Sequence, residues 1–273
     1  MSTTTNNNIA KKLLAKVALV SVLASSSYAG AIIDLEVGGG VWSTGAPTGT
    51  FEADAGNGAV SFDLANQTNL TSTSDNTYLW AVLDHPIPIV PNIRIEQTTL
   101  KSVGTKTVNI TNLISGDIDT TLDLSSVDYI AYWGVPFATW LPFLDELDFG
   151  IGGKFFTGSL SMKDSSGVSD PYEQSFDGAT LPYGYGKVRV EPPFMFGIGL
   201  EGELKYISYS SSTFSEFMVK ADWGMTAPIP AIDIEAGLEV GYRTISLDID
   251  ESELKTNVDF DGVFFGIYAK FGI

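Results

Sequence analysis

The feature that most limits how this chain can fold is a two-residue alternation of side-chain chemistry that returns along its whole length. Over 232–242, Ile232, Ile234, Ala236, Leu238, Val240 and Tyr242 share one phase. Asp233, Glu235, Gly237, Glu239 and Gly241 share the other, which continues to Arg243. Successive side chains of a strand point to opposite faces, so this period specifies a β-strand with one apolar face and one polar or glycine face. The last segment repeats it, with Val263, Phe265, Ile267, Ala269, Phe271 and Ile273 against Phe264, Gly266, Tyr268, Lys270 and Gly272. Near the other end Ile33, Leu35, Val37, Gly39 and Val41 alternate with Asp34, Glu36, Gly38, Gly40 and Trp42. Helical spacing competes poorly anywhere beyond the first 30 residues.

Ten strands are predicted, at about 32–43, 76–85, 92–103, 118–134, 144–161, 175–191, 194–209, 214–226, 231–247 and 256–273. The phase of 76–85 stays open, because Tyr78, Trp80 and Val82 are as apolar as Leu79, Ala81 and Leu83. If 32–43 and 76–85 were long-loop hairpins, the number would fall to eight. The connections alternate in character. Those at 85–91, 135–142, 192–193 and 228–230 are compact and hold nine of the 12 prolines, which cannot donate to a ladder and so end strands. Those at 43–76, 104–117, 163–174, 210–213 and 248–255 are polar and mostly longer. Short turns at one end and longer loops at the other match an all-β, antiparallel, up-and-down transmembrane barrel, with both termini on the short-turn side.

The first 29 residues read as a secretory signal peptide. Lys11, Lys12 and Lys16 precede and enter an apolar stretch over 13–24, and small residues follow, with cleavage expected after Ala29 or Ala31. Residues 30–273 then form the barrel domain. An N-terminal anchor is the competing reading, but the stretch is short of the ~20 residues that span a bilayer. No other apolar run is long enough, so membrane residence would require a closed barrel.

A soluble β-sandwich also alternates, with its apolar face turned inward. Three features weigh against it: the export signal, the apolar final strand, and aromatics near strand ends at Tyr132, Trp133, Phe137, Trp140, Phe143, Phe194, Phe196 and Trp223, as in an interfacial girdle.

LEVGGGVW at 35–42, DHPIPIVPNIRIE at 84–96, DLSSVDYIAYW at 123–133, LPYGYGKVRVE at 181–191, GLEGELKYISY at 199–209, GLEVGYRTISLDID at 237–250 and FDGVFFGIYAKF at 260–271 carry a resemblance over essentially the whole exported chain. It resembles the bacterial outer-membrane β-barrel family named for a glycine-rich first strand, "OMP with Gly-Gly". The resemblance implies an integral outer-membrane barrel and supplies no activity, substrate or catalytic residues. Barrels of this kind usually finish on an aromatic, whereas this chain ends Phe271-Gly272-Ile273.

If the apolar faces meet lipid, the charged faces meet inside. The predicted lumen then holds Asp34, Glu36, Arg94, Glu96, Asp128, Asp148, Lys154, Lys187, Arg189, Glu191, Glu201, Glu203, Lys205, Lys220, Asp222, Asp233, Glu235, Glu239, Arg243 and Lys270. Lys187 and Arg189 are expected to face Glu201 and Glu203 across the 192–193 turn. Unpaired buried charge is costly, so these groups should pair. One reading is a self-filled lumen in a structural or surface-binding barrel; the alternative is a small cation-preferring channel for ions or small polar solutes. Glycines at 38, 40, 150, 152, 237 and 241 are expected to make room for long charged side chains.

Charge and composition exclude several classes. Lys plus Arg number 15 and Asp plus Glu 33, a net charge of -18 that opposes nucleic-acid binding. Losing Lys11, Lys12 and Lys16 takes it from -18 to -21. With no cysteine and His85 the single histidine, thiolate chemistry and multi-histidine metal sites are excluded. Asp84-His85 sits beside a proline turn, where a capping role fits better than acid–base chemistry, so no enzyme activity, metal or cofactor is expected. Gly38-Gly39-Gly40 lacks the helix and Lys-Ser/Thr of a phosphate loop. The acidic 248–253 loop lacks EF-hand spacing and suits solvent or cation-mediated contact with lipopolysaccharide. Expected partners are outer-membrane lipid and lipopolysaccharide, and the barrel-assembly machinery acting on the C-terminal strand; the surface ligand is left open, as is the role of the long 43–76 loop, which has the length of a functional or mobile segment.

Overall fold

A computed structural model describes residues 33–54, 59–73, 76–87, 89–110, 114–135, 143–166, 171–195, 197–229, 232–251 and 254–272. The predicted signal segment, most of the 135–142 turn with Phe137 and Trp140, and Phe196, Pro230 and Ile273 lie outside them. The chain runs through β1 (Asp34–Thr44), β2 (Thr48–Asp54), β3 (Ala59–Asp63), the single helical turn α1 (Leu64–Gln67), β4 (Thr71–Ser72), β5 (Thr77–Asp84) and β6 (Asn92–Thr99). It continues with β7 (Lys101–Ile110), β8 (Ile114–Asp123), β9 (Ser126–Gly134), β10 (Leu144–Phe156), β11 (Ser159–Asp164), β12 (Tyr172–Ser175) and β13 (Thr180–Val190). The last four strands are β14 (Ile198–Tyr209), β15 (Ser212–Ile229), β16 (Ile232–Glu251) and β17 (Leu254–Gly272).

Ten of these strands form a closed antiparallel barrel in the order β1-β5-β6-β9-β10-β13-β14-β15-β16-β17, and β17 pairs back onto β1 from Asp34↔Gly272 to Thr44↔Gly262. Every predicted strand contributes one wall strand, including the two least secure ones, so the number is ten and not eight. Both described ends of the chain stand at one end of the barrel, the terminal end. The excursions β2–β4, β7–β8 and β11–β12 all leave from the other end, the cap end.

The wall turns its apolar face outward, the reverse of a sandwich. Val240 is 52 % exposed and its neighbour Glu239 1 %, and Ile267 is 63 % exposed beside a buried Tyr268. The ambiguous β5 resolves with Tyr78, Trp80 and Val82 inward and Leu83 outward. Of the expected girdle, Trp133, Phe143, Phe194 and Trp223 do gather outside toward the terminal end, joined there by Phe149, with Trp133–Phe149 and Phe143–Phe194 centroids each 6.2 Å apart. Tyr132 departs from that expectation: it is buried in the lumen and donates to Asp84. A second set outside, Tyr129, Phe155, Tyr206, Phe217 and Tyr242, lies toward the cap end.

Along β16 the phase never slips, but the chemistry inverts. Glu235, Glu239 and Arg243 face inward below; Ile245 and Leu247 face inward above, where Ser246 and Asp248 take the outer face. β17 does the same, with Phe265 and Val263 outside below and Asp261 and Asp259 outside above. The apolar band thus ends at the Thr244↔Asp261 pair. Ten residues of a strand tilted by about 40° rise about 25 Å, the height of the band in barrels that cross membranes.

Above that line the barrel walls continue as two facing sheets. One is β15, β16 and β17 extended by β2 and β3; the other is the five-stranded β12-β11-β8-β7-β4. Phe51, Phe62, Leu100, Ile118, Leu122, Leu160, Met162, Leu247 and Phe260 fill the space between, and Phe51 lies 5.8 Å from Phe62 and 6.0 Å from Phe176. The regions expected as loops at 43–76, 104–117 and 163–174 therefore carry much of this cap. Their Thr- and Asp-rich composition looks like loop, yet β-branched threonines suit strands once one face is buried. α1 is anchored by the Asp63 side chain, which accepts from the Asn66 N–H at 2.6 Å.

The lumen glycines serve a different neighbour from the one expected. Gly38 stands directly opposite Trp80 and Gly152 opposite Tyr183, and a Cβ at either position would lie 2.5 Å from the ring. Flat aromatic rings from the adjacent strand, rather than long charged chains, occupy the space these glycines leave.

Candidate functional site

The lumen is a column of ion pairs. Toward the terminal end, Lys270 meets Glu36 at 2.9 Å, Lys187 meets Asp148 at 2.9 Å and also Glu146, and Arg189 grips Asp222 with two hydrogen bonds of 2.6 and 2.7 Å. Tyr268 donates to Glu235 at 2.7 Å. At mid-height, Lys220 bridges Glu201 and Glu239 at 3.2 and 3.3 Å, and Arg94 pairs with Glu96 and reaches Glu203 at 3.4 Å. Toward the cap, Lys154 contacts Asp128 at 2.7 Å and Glu216 at 3.1 Å; Lys205 contacts Glu96, and Glu216 at 2.9 Å; Arg243 contacts Glu216 at 2.7 Å.

The register puts Lys187 opposite Glu203 and Arg189 opposite Glu201, as the turn implied. The tightest partners of these bases nevertheless come from other strands: Asp148 and Glu146 for Lys187, and Asp222 for Arg189. Long side chains in a narrow barrel reach across strands.

Of the predicted lumen residues, Glu191 falls past the last residue of β13 and is exposed, and Asp34 opens β1 at the exposed rim; both stand apart from the column. The side chain of Asp233 lies outside the described residues. Glu216, Glu146 and Asp84 are members that the sequence reading missed; Asp84, expected at the turn, accepts from the lumen Tyr132. Extending the Lys220/Asp222 phase back through Met218 finds Glu216, and extending the Asp148 phase back one step finds Glu146. Lumen tyrosines 78, 132, 183, 185 and 268 were missed because a phenol inside a polar barrel reads as apolar in a strand pattern. Each has its hydroxyl on a carboxylate: Tyr78 on Glu239 at 2.7 Å and Tyr183 on Asp128 at 2.7 Å, for example.

Among the described residues, twelve carboxylates face this lumen: Glu36, Asp84, Glu96, Asp128, Glu146, Asp148, Glu201, Glu203, Glu216, Asp222, Glu235 and Glu239. Eight bases oppose them: Arg94, Lys154, Lys187, Arg189, Lys205, Lys220, Arg243 and Lys270. The interior is therefore anionic on balance. Carboxylate oxygens of Glu96, Glu203 and Glu216 lie within 4.8 Å of one another. Lys154, Lys205, Arg94 and Arg243 already engage them, so a metal ion would compete with four resident cations rather than fill a prepared site.

Among the described residues, two narrow chambers in the lumen lie between these side chains. Trp42, Met218 and Arg243 help line the one nearer the cap; Glu36, Val82 and Glu146 help line the one nearer the terminal end. Trp80, Arg94 and Lys220 line both. At the terminal end, Glu146, Glu36 and Lys270 are part-exposed. At the cap end the charged column stops beneath an apolar roof: the Arg243 guanidinium sits 5.0 Å from the Trp42 ring, and Lys154 sits 5.7 Å from Phe214. Both aromatics are about fully buried and merge with the cap core.

His85 caps its turn. One ring nitrogen meets the Pro91 carbonyl at 3.1 Å and the other accepts from the Ile87 N–H at 3.2 Å. Of the acidic 248–253 stretch, the described residues 248–251 form the end of β16, where Asp250 bonds Lys255 at 3.2 Å and holds that ammonium above its usual range.

The chain matches no model of a known protein family and no curated protein sequence.

Proposed function

We propose that this chain is an integral outer-membrane barrel whose lumen is a narrow, cation-preferring path for small ions, narrowed at its outer end by the cap. The observation that carries it is the excess of lumen carboxylates over bases, which lies toward the terminal end, where Glu36, Asp84, Glu146, Asp148, Asp222 and Glu235 outnumber Lys187, Arg189 and Lys270. Fixed negative charge in a low-dielectric tube attracts cations and repels anions. The export signal, the outward apolar band and the resemblance to the glycine-rich barrel family support the outer-membrane location. In that placement the terminal end faces the periplasm, the cap faces outward among lipopolysaccharide, and β17 is the strand read by the assembly machinery. No catalytic role is assigned.

Single-channel recording of the purified protein in a planar bilayer tests it. The expected result is small conductance steps whose reversal potential in a salt gradient follows the cation, with selectivity reduced in Glu203→Gln. Silence across a wide voltage range overturns the reading. It would favour instead a structural or surface-binding barrel, for which the apolar roof over Trp42 and Phe214 is the specific observation. Heat-modifiable gel migration and fractionation with the outer membrane test location; recovery as a soluble periplasmic species would sink it.

A further inference from the structure

We propose that Trp80 is the constriction residue of the lumen, the side chain that separates the terminal chamber from the cap-side chamber and sets what passes between them. The inference rests on the reading of the lumen as an ion path. Both chambers are lined by Trp80, Arg94 and Lys220, so these three side chains form the wall between them. The indole is fixed from every side. The Arg94 guanidinium stands 5.2 Å from its ring centre and the Lys220 ammonium 5.1 Å. Its Nε1–H donates to Glu239 at 3.2 Å, and Glu239 also holds Tyr78 and Lys220. Behind it, Gly38 leaves room for the ring in this position, since a Cβ there would lie 2.5 Å from it.

Two cations against one aromatic ring make a barrier of a particular kind. The ring quadrupole attracts each base, and each base is also tied to carboxylates, Arg94 to Glu96 and Glu203 and Lys220 to Glu201 and Glu239. A passing cation can therefore exchange with a resident base on the same carboxylates, whereas a solute larger than a dehydrated ion meets the edge of an indole that has nowhere to turn. The glycine of the first strand and the tryptophan of the next barrel strand thus act as one unit: Gly38 gives the space and Trp80 closes it.

The absence of cysteine makes a direct test possible. Single cysteines are placed at Val82, in the terminal chamber, and at Met218, in the cap-side chamber, each with Trp80 intact, with Trp80→Phe and with Trp80→Ala. Folded protein, checked by heat-modifiable migration, is labelled in detergent with a small cationic methanethiosulfonate. Val82→Cys is expected to react at similar rates in all three backgrounds. Met218→Cys is expected to be protected with Trp80 or Phe at position 80, and to react about tenfold faster or more with Trp80→Ala, as protection by a local barrier requires. Equal labelling of Met218→Cys with and without the indole overturns the constriction, as does its protection in all three backgrounds. Silence at Val82→Cys would instead remove the water-accessible chamber, and with it the ion path itself. Because no arm depends on conductance, failure of the constriction and failure of the channel are read separately.

Discussion

Lys205 is the base most deeply enclosed in the barrel, with no exposed side-chain surface and with Glu96, Glu203 and Glu216 around it. Its role follows from what removal would leave: two or three carboxylates in a low-dielectric interior with one counter-charge fewer. Breaking a buried pair from one side costs about 3–5 kcal/mol, so Lys205→Met is expected to lower the denaturant midpoint of the barrel in lipid vesicles by a corresponding amount. A midpoint unchanged from the parent protein would mean that the column is hydrated enough to absorb the loss. Gly38→Val asks the complementary question about shape. Its side chain meets the Trp80 ring in register across β1 and β5, and overpacking of this kind costs about 1–3 kcal/mol. Tryptophan fluorescence and the unfolding midpoint would report it, and Gly38→Val combined with Trp80→Ala should regain most of the loss. At this scale the sequence was partly readable. The phase of Lys187, Arg189, Glu201 and Glu203 put them on one face, and that face is the lumen. Which base pairs with which acid was not readable, because Arg189 chooses Asp222 from a strand it does not pair with.

The strands carry the boundary between two environments. Within β16, outward Leu238, Val240 and Tyr242 give way to Thr244, Ser246 and Asp248 with no change of phase. One strand therefore carries an apolar outer face below, which the proposed placement turns to lipid, and a polar outer face of the cap above. A charge placed outward should feel the difference. Val240→Lys, in the middle of the apolar band, is expected to cost about 2–4 kcal/mol, whereas Ser246→Lys on the same face above the band should cost about 0–1 kcal/mol. Urea titration of both variants folded into lipid vesicles measures the contrast, and equal costs would move the membrane boundary or remove it. The barrel strands were legible because each repeats its period over enough residues. The cap strands β2 and β3 were not, and β7, β8, β11 and β12 were read only in part, as extensions of the wall strands at 92–103, 118–134, 144–161 and 175–191. Their outward faces are Thr, Asp and Ser, their apolar residues are spaced by tertiary partners, and 104–117, which holds most of β7 and the start of β8, looks like a polar loop until a second sheet covers Ile110 and Ile114.

The whole molecule joins two packing regimes end to end: a barrel with a charged interior and an apolar skin, and a cap with an apolar interior and a polar skin. The cap core should be separable from the barrel. Phe62→Ala removes a buried ring that Phe51 packs against, and a loss of about 3–5 kcal/mol falls on the cap. Limited proteolysis is expected to cut the 43–76 region in this variant while the barrel stays heat-modifiable; a barrel that unfolds together with the cap would show that the two are one cooperative unit.

The sequence by itself determined the period, a set of ten candidate wall strands, the end at which turns are short, and which residues of a strand share a face. All of these follow from local geometry, since a strand of fixed period must sort its side chains two ways and a proline must end a ladder. It left open which of the two faces looks inward, which the closed structure decides by turning Val240 and Ile267 out. Only the tertiary structure decided the pairing inside the column, the roof of Trp42 and Phe214, and the use of the glycine-rich first strand to seat Trp80. These depend on side chains meeting across strands far apart in sequence, and a periodic pattern read along one strand carries no information about what stands opposite.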